Sequence, residues 1–286
     1  MKRRIWKTFL ALACLVSVLT GCVGSGSNAS RLTAKVIDAD LTKEEYAFAV
    51  DPKQPDLLDE VNAYVAKIKS DGTYDAICER YFGNGKPKPV VPAAEDDSKD
   101  QLFVATNATF APFEYVQGDE YYGIDMEIAA GLAEYLGKEL VIRNMDFETV
   151  LFSVNGGESD IAMSALTVTE ERKELVSFSD SYYAASQRLV VRSDNKEFKD
   201  GMDAASVEAI LKGKDSSVKV GVENETTSQL YCEGDAGSGY EGFSMTVVGY
   251  SNGSLAVQDL LNGNVDYVII DAAPAKFITE KINELQ

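Results

Sequence analysis

From residue 102 onward the sequence alternates short apolar runs with longer stretches whose apolar residues recur every three to four positions, and no other feature narrows the fold as much. Residues 102–106, 140–143, 160–163, 189–192, 218–222, 246–250 and 267–270 have the length and texture of buried strands. Between them, Ile128, Ala129, Leu132, Ala133 and Leu136 make one helix face stopped by Gly137, and Phe147, Val150, Leu151 and Val154 make another stopped by Gly156 and Gly157. Such alternation predicts an α/β protein with largely parallel sheets, because each crossover helix returns the chain to the same end of its sheet. The polar stretch 193–202 separates two runs of this kind and predicts two lobes.

Upstream the texture differs. Residues 56–70 carry Leu57, Leu58, Val61, Tyr64, Val65 and Ile68 at helical spacing, with Pro55 at a permitted first-turn position and Gly72 beyond the end. Residues 84–100 collect Gly85, Pro87, Pro89, Pro92 and the acidic run Glu95, Asp96, Asp97, the composition of a solvated linker.

The first 21 residues read as a targeting segment. Lys2, Arg3, Arg4 and Lys7 precede an apolar run over 9–19 that is short for a bilayer span. It closes in Leu19-Thr20-Gly21-Cys22, which resembles the bacterial lipobox and makes Cys22 the expected lipidation site and mature N-terminus. Residues 22–30 then form a flexible Gly/Ser/Asn tether. The protein is expected to be extracytoplasmic and held at the bacterial cell membrane by that lipid anchor. Of the two cysteines farther on, Cys78 reads as a small buried thiol on a helix, with a disulfide to Cys232 as the alternative.

Composition removes several classes of function. A formal charge of -19, from 27 Lys+Arg against 46 Asp+Glu, repels nucleic-acid backbones. The absence of histidine excludes a Ser-His-Asp triad, a Cys-His dyad and a His-dependent zinc site. Nothing in the sequence calls for a cofactor or a metal.

Ligands of α/β proteins gather at the carboxyl ends of strands. After 102–106 come Asn107 and Phe110; after 160–163 come Ser164, Ala165 and Thr167, then Thr169 as a plausible helix N-cap with Arg172 in the first turn. A cation there opposes the helix dipole, which suggests that the guanidinium is kept for an anion, and its planar fork suits a carboxylate. After 218–222 comes Glu223-Asn224-Glu225-Thr226-Thr227, leading into a helix whose free N–H groups also favour an anion. After 267–270 comes Asp271. Two grips on a carboxylate, one acid for an ammonium and aromatic residues nearby outline a site for an α-amino acid.

The stretches LFVATNATFAPFEY, GIDMEIAAGLAEYLG and SDIAMSALTVTEERKELVSFSDSYY strongly resemble the polar amino-acid-binding proteins of ABC importers, a group of type II solute-binding proteins. The resemblance implies a two-lobed type II periplasmic-binding-protein fold that closes on one amino acid without catalysing a reaction, works as a monomer and delivers to ABC permease membrane subunits. It implies that Arg172 binds the ligand α-carboxylate with Thr167 and the backbone around Thr226 and Thr227, that Asp271 and Ser164 hold the α-ammonium beside Ala165, and that Phe110 and Phe147 sandwich the side chain with Asn107 at the far end. The family usually places glycine where Glu225 stands. A neutral amide at Asn107, where binders of cationic side chains tend to carry an acid, favours a neutral polar amino acid. The alternatives are an exported dehydratase of the same fold and a surface amino-acid sensor.

Residues 44–83 resemble the segment that ordinarily closes these proteins at the carboxyl end, yet here they precede the opening strand. A circularly permuted chain is therefore expected, with 84–100 joining the old termini, lobe one over 46–192, lobe two over 31–45 plus 193–286, and crossings near 40–45 and 191–195.

Overall fold

The computed structural model describes residues 31–285. Two five-stranded sheets organise them. In the first, the order is Ser177–Phe178, Ala49–Val50, Ile161–Ala162, Gln101–Thr106, Glu139–Asn144; in the second it is Ala34–Val36, Gln187–Arg192, Tyr267–Asp271, Lys219–Glu223, Thr246–Tyr250. Each sheet has a parallel trio, Gln101–Thr106 between Ile161–Ala162 and Glu139–Asn144, and Lys219–Glu223 between Tyr267–Asp271 and Thr246–Tyr250. Antiparallel strands extend both trios on one side. The expectation of largely parallel sheets thus holds for the trios and fails at the extensions.

Between the two sheets run Glu44–Tyr46 and Tyr183–Ala185, paired antiparallel. The chain leaves the second sheet after Ala34–Val36, crosses at Glu44–Tyr46, builds the first lobe, and returns at Tyr183–Ala185. Two corrections follow. Strand Gln187–Arg192 belongs to the second lobe, so the first does not extend to residue 192, and the return crossing lies at 183–185 instead of 191–195. The reason is physical. Leu189, Val190 and Val191 are an apolar run that would suit the interior of either sheet, and its place is set by pairing with residues far off in sequence, Ala34–Val36 and Tyr267–Asp271. The polar stretch 193–202, read as the inter-lobe break, is a loop of the second lobe that buries Phe198 edge-on against Tyr267.

Helix Pro55–Ser70 begins with proline, whose missing N–H costs nothing in the first turn, and buries Val61, Tyr64, Val65 and Ile68. These side chains join Leu102, Ile124, Ile128 and Leu132 in the core of the first lobe, with Leu57 and Leu58 packed at its margin. At about 1.5–3 kcal/mol for each large apolar side chain buried, the helix is an integral part of that lobe. Helix Ile124–Leu136 approaches so closely that a Cβ on Gly131 would stand 2.0 Å from the Tyr64 hydroxyl oxygen. Residues 84–100 run along the same lobe: Val90 exchanges backbone hydrogen bonds with Tyr121, and the Ala93 amide donates to Leu140. Cys78 and Cys232 are both free thiols, so the alternative disulfide does not form.

Candidate functional site

The parallel trios aim their carboxyl ends at one cleft. Asn107, Phe110, Phe147, Ser164, Ala165, Thr167, Arg172, Thr226, Thr227 and Asp271 line it together with Glu223. All ten residues singled out in the sequence therefore meet at one place. Cys22 lies outside the described residues.

Arg172 sits in the short helix Glu170–Lys173, whose N-cap Thr169 accepts a hydrogen bond from the Arg172 backbone amide. Its guanidinium is buried, donates from Nη1 to the Thr167 oxygen at 2.9 Å and from Nη2 to the Glu225 oxygen at 3.1 Å, and stands 5.4 Å above the centre of the Phe147 ring. Among the described residues no carboxylate comes within ion-pairing distance of it. Burial lowers its pKa, opposed by the negative charges of Glu44 and Asp271. The cation is thus desolvated, oriented by carbonyls and left with its charge uncompensated at contact, a state that favours an incoming anion.

Asp271 ends strand Tyr267–Asp271 and occupies the N-cap position of helix Ala272–Glu284, yet its side chain makes no capping bond. It accepts instead from the Tyr46 hydroxyl. Burial, then repulsion from Glu44, pushes its pKa up to about 7. A cationic group beside it would restore its ionised form.

Glu44, on the crossing strand, ties the two walls together from behind. Its carboxylate accepts from Thr42 Oγ1 at 2.5 Å, Gln187 Nε2 at 3.1 Å, Thr167 Oγ1 at 2.7 Å and Thr227 Oγ1 at 2.8 Å. Thr167 lies on the first lobe and Thr227 on the second, so one carboxylate bridges both. The Thr226 hydroxyl donates to the backbone carbonyl oxygen of Glu223 at 2.8 Å and is occupied locally.

On the other wall, the Asn107 amide donates from Nδ2 to the Met145 oxygen at 2.8 Å and accepts at Oδ1 from Thr109 Oγ1 at 2.5 Å. Ser164 Oγ accepts the Asn107 backbone amide at 3.0 Å. Ala165, at a positive φ of 46°, directs its amide to Asp125 Oδ2 at 3.0 Å. Phe110 is buried and Phe147 opens its helix, giving the cleft two aromatic faces.

Sequence reasoning passed over Glu44, Tyr46, Gln187 and Glu223. The first three act through nonlocal contacts that no local pattern announces. Glu223 could have been found, since the rule that selects Asp271, an acid at a strand end, applies to it equally.

A model of bacterial extracellular solute-binding proteins, family 3, matches residues 102–266. The arginine-binding extracellular protein ArtP of Bacillus subtilis is 32% identical over 146 residues, which are 48% of this chain and 57% of that protein. The histidine-binding periplasmic protein of Salmonella typhimurium is 29% identical over 189 residues, 64% of this chain and 66% of that one. The chain thus spans between 57% and 66% of the length of these curated relatives. Among solved structures, an ancestral arginine-binding protein bound to arginine superposes with a TM-score of 0.54 at 33% identity, covering 64% of this chain and 75% of its own. An ancestral amino acid-binding protein described as a precursor of cyclohexadienyl dehydratase superposes with a TM-score of 0.55 at 25% identity, covering 73% and 78%. With more than half of its length matched by the family model, and with two α/β lobes around a shared cleft, the chain belongs to the bacterial extracellular solute-binding proteins, family 3.

Proposed function

We propose that this protein captures one free amino acid outside the cytoplasm and delivers it to the membrane subunits of an ABC importer. The observation that carries the reading is the placement of the Arg172 guanidinium, with no carboxylate paired to it among the described residues, and of the non-capping Asp271 carboxyl in one cleft. An α-amino acid supplies the complementary pair, a carboxylate for the planar fork and an ammonium for the acid. Thr167, Thr226, Thr227, Ser164 and Ala165 shape the walls around those two groups, while Phe110 and Phe147 flank the side chain. Calorimetry against the twenty amino acids tests it. Wild type binds at least one, and Arg172→Ala and Asp271→Ala each lose about 2–5 kcal/mol of affinity, because either change leaves a buried ligand charge unpaired. Wild type binding none, or both variants binding normally, overturns the assignment. Loss of uptake on deletion separates transport from sensing.

One solved neighbour, the ancestral binding protein described as a precursor of cyclohexadienyl dehydratase, keeps a second reading in view: an exported dehydratase of this fold. Aromatic product from prephenate or arogenate would favour it over transport.

Two further elements belong to the proposal. Cys22 carries a diacylglycerol anchor that holds a monomeric body at the membrane surface; intact-mass measurement of the mature protein without added acyl mass overturns this. The chain is circularly permuted. In support, residues 55–82 form two helices packed in the first lobe, upstream of the strand at which the family match begins. Moving residues 31–83 behind residue 286 by genetic rearrangement, so that strand Ala34–Val36, the crossing Glu44–Tyr46 and the two helices stay joined, should yield a folded, ligand-binding protein; failure of that variant to fold overturns it.

A further inference from the structure

We propose that Glu223 determines the specificity of the cleft and selects an amino acid that carries a second cationic group. The inference rests on the amino-acid reading of the site and adds the class of side chain.

Glu223 ends strand Lys219–Glu223, the parallel neighbour of the strand that ends in Asp271, so two adjacent strands deliver a carboxyl each to the same end of the sheet. Glu223 is one of the residues that line the cleft and is 3% exposed. Oε2 of its carboxyl is buried and has no hydrogen-bond partner among the described residues. Other buried acids are served. Asp125 accepts from the Ala165 amide and the Tyr182 hydroxyl, Glu44 from four donors, and Glu127 from Arg80 and Tyr81. Glu114 also has an unpartnered oxygen but is not among the residues that line the cleft.

Charge balance then points to the ligand. The lining residues include one cation, Arg172, and two acids, Asp271 and Glu223. An α-carboxylate on Arg172 and an α-ammonium on Asp271 leave the Glu223 carboxyl, which burial keeps protonated in the empty cleft near neutral pH, to ionise against a second cationic group of the ligand. A buried carboxyl oxygen without a donor is costly, and a donor brought by the ligand removes that cost only in the bound state, which is how a site discriminates. The Asn107 amide, the other polar group on the side-chain wall, is engaged on both its nitrogen and its oxygen by Met145 and Thr109. It is therefore Glu223, and not the neutral amide at residue 107, that sets the charge preference. Phe110 and Phe147 offer apolar faces to the methylene stem of such a side chain.

The test is calorimetry of the mature protein with L-lysine, L-ornithine and L-arginine against L-glutamine and L-norleucine. The expected result is that at least one cationic amino acid binds about ten-fold or more tightly than glutamine and norleucine, and that Glu223→Gln brings the ratio close to one. A thermal melt shows that the isosteric variant is folded. Glutamine binding as tightly as the cationic ligands in wild type, or an unchanged ratio in Glu223→Gln, overturns the assignment of Glu223 while leaving the amino-acid reading in place. Binding of none of the panel by wild type overturns the assignment of Glu223, and only failure to bind any of the twenty amino acids overturns the amino-acid reading as well.

Discussion

Nη2 of Arg172, on the first lobe, donates to the backbone oxygen of Glu225, on the second, at 3.1 Å. Glu225 has a φ of 59°, the left-handed region that glycine prefers. The contact uses the main chain alone, so the glutamate side chain is tolerated without being read. Glu225→Gly should keep ligand affinity within about three-fold and relieve roughly 1 kcal/mol of backbone strain, part of which is offset by the greater freedom of the unfolded chain. Calorimetry and urea unfolding check both; a ten-fold loss of affinity would mean that the side chain itself takes part.

Stability should fall as pH rises. Burial pushes Asp125 and Asp271 up to about 7 and Glu223 up to about 8, and holds Glu114 well above its ordinary range. These acids bind protons more tightly folded than unfolded, where they titrate near 4, so their contribution is complete below about pH 4 and is lost on rising through about 7–8. The ligand-free protein should melt at a lower temperature at pH 8.5 than at pH 6. Ligand should reverse part of the trend, since an ammonium beside Asp271 favours the ionised acid. A melting temperature independent of pH over that interval contradicts the proposed protonation of the cleft.

Glu44 joins Thr167 to Thr227 through one carboxylate oxygen. Glu44→Ala strips an acceptor from four buried or half-buried donors, and each donor left unpaired costs about 1–3 kcal/mol unless water reaches it. Urea unfolding should show a loss of at least that size. Small-angle scattering of the ligand-free variant should report a larger radius of gyration than wild type, because the bridge between the walls is gone. Unchanged stability and dimensions would reduce Glu44 to a bystander.

Ile68 is fully buried in the core shared by helix Pro55–Ser70 and helix Ile124–Leu136. Ile68→Ala should destabilise by about 2–5 kcal/mol, in a single transition with the rest of the first lobe. A variant that unfolds at the wild-type midpoint would indicate an upstream segment that is not part of the folded body.

What the sequence determined by itself is what local chemistry encodes. Apolar periodicity marks the helix with Val61, Tyr64, Val65 and Ile68 on one face, and the strand ends announce Arg172, Thr227 and Asp271, because side-chain spacing and the carboxyl-end rule are properties of a single segment. The tertiary structure decided everything that depends on partners distant in the chain. It placed Gln187–Arg192 in the second lobe by pairing it with Ala34–Val36 and Tyr267–Asp271. It turned Glu44 into a bridge, engaged the Asn107 amide with Met145 and Thr109, and left a buried oxygen of Glu223, a residue that lines the cleft, without a partner among the described residues. An apolar strand fits more than one sheet, and a carboxyl at a strand end acquires its protonation and its role from the donors and charges that folding assembles around it.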